Sequence, residues 1–338
     1  MASQRLSWAE KGDYSIKPNT RDMATKSVCF LIALTVITSS CSSEGDVEEI
    51  PPKTGMINVS GGQIWYRMSG IGKTGTPLII LHGGPGAAHN YLLNLDTLSE
   101  HRPVIFYDQL GSGLSDRPSD TMLWNTDRFV DELHTLVTSL KIDQFHLLGQ
   151  SWGAYLAASY SLKYDNRIKS IVFSAPLLSA TRWIEDQRFW ISQLPAATRD
   201  TIEKYEALGE YGAESYQQAM DLFYRRHLCR LDPWPDLLMQ TFDNMGAEVY
   251  NYMWGPSEFT VTGTLKEADL SEQLPQIDVP VLFTCGEFDE ATPAAINHFA
   301  GLMKNAELQI FENASHMHHL EDPEKYLGLV REFLQKHD

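Results

Sequence analysis

Basic residues are scarce in this chain: 27 Lys and Arg stand against 44 Asp and Glu in 338 residues, a formal net charge of −17. So acidic a surface opposes binding to nucleic acid or to anionic membranes, and no Lys/Arg cluster offsets it locally. Cysteine is sparse as well. Only four are present, and nowhere do Cys, His, Asp and Glu fall at a metal-ligand spacing, so neither a metal nor another cofactor is expected. No internal repeat appears. The apolar stretch from Val28 to Ile37 is too short to span a bilayer.

What remains is an ordinary globular composition, 43% hydrophobic, long enough for one large core or a core plus an inserted subdomain. The first 41 residues stand apart from that core. From Met23 a short basic region with Lys26, the apolar stretch and Thr38-Ser39-Ser40-Cys41 resemble a signal peptide ending at a bacterial lipoprotein cysteine, although Thr38 stands where that pattern has an aliphatic residue. Residues before Met23 are polar and patternless, an upstream extension consistent with a natural start at Met23. The expectation is an exported protein, membrane-anchored as a lipoprotein of a bacterial cell envelope through a lipid on Cys41. Residues 42–54, acidic and ending near Pro51-Pro52, read as a tether. Cys229 and Cys285 can pair in an oxidising compartment, though Cys285 ends a predicted core strand and reads more simply as a small buried hydrophobe.

The most informative stretch is Phe145 to Ala158. A short apolar run reads as a buried strand, Gly149-Gln150-Ser151-Trp152-Gly153 follows at once, and an Ala-rich helical run begins directly after it. Strand, G-x-S-x-G and helix together form a nucleophile elbow. Gly149 and Gly153 are needed because a side chain at either place would meet the facing strand or helix, and Ser151 is left strained at a helix N-terminus.

Around it the chain alternates. Met56–Val59 and Gln63–Met68 read as a hairpin, Pro77–Leu81, Pro103–Tyr107 and Ile168–Phe173 as buried strands, and Thr126–Leu140 as a helix capped by Thr126. Strand, helix, strand, helix gives an α/β fold with a mostly parallel sheet, its first part over residues 55–176. From 177 to 268 the pattern turns helical and aromatic, as an inserted helical cap whose aromatics should be mostly cap core. The sheet resumes over 269–338, with strands Val279–Cys285 and Glu307–Phe311, a helix near Ala294–Leu302 and a last helix Pro323–Lys336.

Two loops complete a catalytic set. Asp289 lies just past a strand's C-terminal end, where open α/β sheets place their ligands, and is preferred to Glu287, which serves the turn more simply. His316 is the first histidine after the next strand and turn, ahead of His318 and His319. Serine, then acid, then histidine is the chain order of α/β-hydrolases. The glycine-rich His82-Gly83-Gly84-Pro85-Gly86 loop lets backbone N–H groups approach a ligand, as an oxyanion hole requires, or is merely a tight turn.

Leu81–Gly86, Asp108-Gln109-Leu110-Gly111-Ser112-Gly113, the elbow and Gly286–Pro293 together resemble the proline iminopeptidase family of serine aminopeptidases, from about Gly55 to the C-terminus. The cap segment from Phe223–His227 through Gly255–Gly263 is most similar to the tricorn-interacting aminopeptidases. That resemblance implies an α/β-hydrolase fold, an oxyanion hole from the N–H groups of Gly84 and Trp152, and a pair of glutamates, Glu258 and Glu290, holding the substrate's free α-amino group. Otherwise these two are a solvated charge or a helix-start residue.

The reading is a serine aminopeptidase that releases an N-terminal proline or other apolar residue from short peptides through an acyl-enzyme on Ser151. Its rivals are an amidase or esterase acting on amino-acid amides or small esters, and a noncatalytic binding protein that keeps the fold as a ligand pocket.

Overall fold

Alternation within short apolar runs decides the layers. In β3 (Leu78–Leu81), Ile79 and Leu81 enter one core while Leu78 and Ile80 enter another, because successive side chains of a strand point to opposite faces. β4 (Val104–Tyr107) and β5 (Phe145–Gln150) divide in the same way, so the middle of the sheet is covered on both sides. The structure, a computed structural model, describes residues 50–164 and 167–338. The signal-peptide reading, Cys41 and residues 42–49 of the expected tether lie outside them.

Among the described residues eight strands form one sheet in the order β1-β2-β4-β3-β5-β6-β7-β8. β1 (Lys53–Val59) and β2 (Gly62–Ser69) make an antiparallel hairpin at one edge, and β2 also runs antiparallel to β4. The pairs from β4 through β3 and β5 to β6 (Ile168–Ser174), β7 (Val281–Gly286) and β8 (Ala306–Phe311) are all parallel. Parallel neighbours bring the strand ends that carry Ser151, Asp289 and His316 to one side of the sheet.

α1 (Thr126–Ser139) and α2 (Trp152–Lys163) pack Phe129, Leu133 and Leu156 into the first core. Between β6 and β7 come α3 (Ala180–Ser192), α4 (Ala196–Leu208), α5 (Glu214–His227), α6 (Asp236–Asp243) and α7 (Ala247–Met253). This insertion has its own small core, with Ile191, Ile202, Tyr216, Phe223 and Phe259. It leaves and returns through a narrow neck. There Ser179 bridges Asp269, the Ala180 N–H donates to the Ala268 carbonyl at 2.7 Å, and the Leu270 N–H donates to that of Leu178 at 2.9 Å. α8 (Pro293–Gly301) adds Ile296 to the first core; α9 (His318–Glu321) is a single turn; α10 (Pro323–Lys336) packs Tyr326 and Val330 into the second.

Three local differences from the sequence reading have physical causes. β1 begins at Lys53 and pairs it with Met68, so the last two residues of the expected tether are strand. The cap of α1 is Asn125, not Thr126: Asn125 has the extended backbone a cap requires, and its side chain accepts the Arg128 N–H at 3.0 Å. A 3₁₀ helix over His89–Glu100 has no counterpart in that reading. It buries Leu92, Leu95 and Leu98, a spacing of three that matches the 3₁₀ repeat and defeats a search for 3.6.

Candidate active site

The elbow is forced by sterics. A Cβ on Gly149 would run into the backbone of Gly153, and one on Gly153 into the carbonyls of Leu81 and His82, so β5, β3 and α2 can approach only with glycine at both places. Ser151, caught between them, is held at φ 55 and ψ −120, a backbone cost of roughly 1–3 kcal/mol for a residue with a side chain. Its N–H donates to the Ser174 carbonyl at 3.0 Å, and its own carbonyl accepts from Ala154 and Leu177. Trp152 is the first residue of α2, where the backbone N–H has no acceptor within the helix and the helix dipole is positive.

Asp289 and His316 meet. The His316 Nδ1–H donates to Asp289 Oδ1 at 2.7 Å, both side chains being buried. A carboxylate only accepts, so this bond sets the tautomer and leaves Nε2 free for the other side of the ring. Two further lone pairs of Asp289 are taken by the N–H groups of Ala291, on Oδ1 at 2.9 Å, and Gly286, on Oδ2 at 3.1 Å. Glu287, the rival acid, is exposed and accepts the Asn313 N–H at 2.9 Å, a bond of the turn.

The rival histidines lie deeper. His318 Nε2 sits 2.9 Å from Thr284 Oγ1 and 3.3 Å from Ser174 Oγ, its Nδ1 lies 3.8 Å from Asp289 Oδ2, and burial holds its pKa well below the usual histidine range. His319 Nε2–H donates to the Tyr91 carbonyl at 3.1 Å, and burial lowers its pKa to about 4. Both are neutral parts of the floor.

The two sequence motifs between the strands tie the elbow to the glycine-rich loop. The Gln109 amide donates to the His82 carbonyl at 2.9 Å and accepts the Trp152 indole N–H at 2.9 Å. Tyr91 accepts the Gly83 N–H at 2.8 Å and donates to Gln150. Gly84 has φ 108, and an added Cβ would strike the amides of Gly86 and Ala87.

Glu258 and Glu290 are both in this region. Glu290 is buried, its Oε1 has no partner, and burial together with the carboxylates of Glu258 and Asp289 pushes its pKa well above the ordinary carboxylate range. Glu258 is partly buried and also raised by burial, against the Tyr250 hydroxyl that donates to its Oε1 at 2.6 Å. No lysine or arginine among the described residues forms an ion pair with either. The arrangement is a buried acid–histidine pair flanked by two carboxylates that lack a cation, with Ser151 at the elbow on the same side of the sheet.

A family described as alpha/beta hydrolase fold matches residues 76–323. A proline iminopeptidase of Heyndrickxia coagulans is 44% identical over 281 residues, covering 83% of this chain and 98% of that protein. The chain belongs to the proline iminopeptidase family. Among solved structures, the crystal structure of the proline iminopeptidase of Mycobacterium smegmatis is 36% identical with a TM-score of 0.79, covering 84% of this chain and 98% of that one. The crystal structure of VinJ is 35% identical with a TM-score of 0.81, covering 85% of this chain and all of the other.

Sequence reasoning missed several polar contacts of this family member's site. Trp183, Trp190 and Tyr250, read with the cap aromatics as packing, touch the site instead: the Trp183 indole donates to the Glu258 carbonyl at 3.1 Å with its ring edge-on to His316, and the Trp190 indole donates to the Asp289 carbonyl at 2.8 Å. The Gln187 amide donates to the Glu290 carbonyl at 3.0 Å. The one available signal was the density of tryptophan in α3, where an indole N–H needs a partner once buried. Cys229 and Cys285 are separate, free and buried. No group of three or more His, Cys, Asp or Glu among the described residues is arranged to hold a metal ion.

Proposed function

We propose that the protein is a serine aminopeptidase that releases an N-terminal proline or other apolar residue from short peptides. His316 takes the proton of Ser151, the serine oxygen attacks the carbonyl, Asp289 orients the imidazolium, and the N–H groups of Gly84 and Trp152 receive the oxyanion. The leaving amine departs with the proton from His316, and water hydrolyses the acyl-enzyme by the same path in reverse. Glu258 and Glu290 hold the substrate's ammonium one residue from the scissile bond.

One observation carries this reading: two carboxylates without a cation lie beside the acid–histidine pair. Burying anions unpaired is costly, and a bound ammonium would offset that cost. The likeness of the 223–263 segment to tricorn-interacting aminopeptidases supports the pairing of these two residues. Aminoacyl arylamides compared with their N-acetylated forms test it: acetylation should lower kcat/KM by roughly 10² to 10⁴, the effect of leaving a buried charge unpaired. Glu258→Gln and Glu290→Gln should weaken free-amine substrates strongly and p-nitrophenyl acetate little. Equal kcat/KM for blocked and free substrates would favour an esterase.

We further infer export with a lipid on Cys41. Its support is the sequence of a short basic region, an apolar stretch and Thr38-Ser39-Ser40-Cys41, followed by the acidic segment before β1.

A further inference from the structure

Asp289 and His316 stand on different loops, after β7 and after β8, so their 2.7 Å contact depends on what holds the loops together. From the sheet side two backbone bonds do so: Glu287 N–H to the Phe311 carbonyl and Phe288 N–H to that of Ala314, each 2.9 Å. From the other side the tie comes from the insertion. His227 ends α5, and its Nδ1–H donates to the carbonyl of Phe288, the residue before Asp289, at 2.8 Å. The carbonyl of the same His227 accepts the His316 N–H at 3.0 Å, and that of Leu228 accepts the Met317 N–H at 2.9 Å. Carbonyls at a helix end have no donor within the helix, and here the histidine loop supplies it.

Trp190 of α3 locks the arrangement. Its ring stacks on the His227 imidazole with centroids 4.4 Å apart, and its indole N–H donates to the Asp289 carbonyl. Phe223, one turn earlier in α5, lies 4.9 Å from the same imidazole. Because a carbonyl only accepts, His227 must carry its proton on Nδ1. Burial, reinforced by Arg226 and Arg230, lowers its pKa to about 4 and keeps the ring neutral.

We infer that His227, with Trp190 stacked on it, is a positioning residue for the acid–histidine pair: one side chain of the inserted helices bonds to the acid loop while its backbone bonds to the histidine loop. The inference rests on the catalytic reading of Ser151, Asp289 and His316. It makes the insertion part of the machinery that sets catalytic geometry, in addition to any part it has in enclosing substrate.

His227→Leu removes the side-chain donor at similar volume. His227→Asn restores an N–H at the place of Nδ1. With prolyl p-nitroanilide as substrate, and rates taken per folded protein, His227→Leu should lower kcat roughly 10- to 100-fold with KM within about twofold, as expected when reacting groups are displaced by less than about 1 Å. His227→Asn should return kcat to within about threefold of the parent. Trp190→Phe, which keeps the stacked ring and loses the N–H, should lower kcat about 3- to 10-fold. A His227→Leu kcat within twofold of the parent, or equal losses in the Leu and Asn variants, would overturn the inference. If His227→Leu does not fold, Trp190→Phe decides by itself, with an unchanged kcat overturning it. Ser151→Ala in the same assay keeps the two readings apart, because residual turnover there would reject the catalytic assignment whatever the His227 variants do.

Discussion

The hydroxyl of Tyr250 donates to Glu258 Oε1 at 2.6 Å, while the Oε1 of Glu290 has no donor. The two carboxylates are therefore unequal. Glu258 has help in staying ionised; Glu290, further raised by its anionic neighbours, holds a proton well above the usual carboxylate range.

Ammonium binding should accordingly release a proton over the pH window, above the ordinary carboxylate range, in which Glu290 is still protonated. Titration calorimetry in buffers of different ionisation enthalpy, using a free-amine substrate with the Ser151→Ala protein, should show that release, and Glu290→Gln should remove it. The stability effect follows in sign. A carboxyl whose folded-state pKa is raised stabilises the fold fully below its unfolded value, and that contribution is lost as pH rises through the folded value, at about 1.4 kcal/mol per pH unit. Glu290→Gln should flatten this decline in denaturant titrations carried upward from the ordinary carboxylate range; an unchanged slope would show that Glu290 is ionised throughout.

Ser151→Ala should abolish turnover and leave the fold intact, since only a hydroxyl is removed and the strained backbone at φ 55 is built by its neighbours. A loss on the order of 10³ to 10⁶ is expected, and His316→Ala should match it because the two act as one unit. More than a tenth of the activity remaining in either variant rejects the assignment.

His318→Ala should act on stability before chemistry. Its ring fills a fully buried space beside Thr284 and Ser174, and Ser174 in turn accepts the Tyr326 hydroxyl at 2.9 Å. Removing it takes the imidazole partner from the Thr284 hydroxyl and leaves a void, a cost of about 1–3 kcal/mol for the unpaired group alone. Urea unfolding should show that loss, and a wild-type midpoint would mean that water replaces the ring without penalty.

Expression from Met23 in a bacterial host with labelled fatty acid should give a membrane-associated band that loses its label in Cys41→Ser. A soluble cytoplasmic product retaining Met23 would reject both export and anchoring.

Local chemistry made much of this protein legible. The elbow, the last helix Pro323–Lys336 and the loops carrying Asp289 and His316 each announce themselves within a few residues, through glycine sterics, a 3.6 repeat or a polar cluster after an apolar run. The choice of Asn125 over Thr126 as a cap was not readable, because both side chains can accept the bond and only the backbone angle decides. Contacts such as Trp190 to Asp289, 99 positions apart in the chain, depend on how the insertion folds back over the sheet, which no short window encodes.

The neck at Ser179 and Asp269 makes the insertion exchangeable. Because the two ends of the 180–268 segment leave and re-enter side by side, a relative's segment could be spliced there without cutting a strand of the sheet. Chimeras of this kind would trade substrate preference as a cassette, but only when the incoming segment brings its own equivalent of His227; without one, the hybrid would inherit a complete triad and run slowly on every substrate.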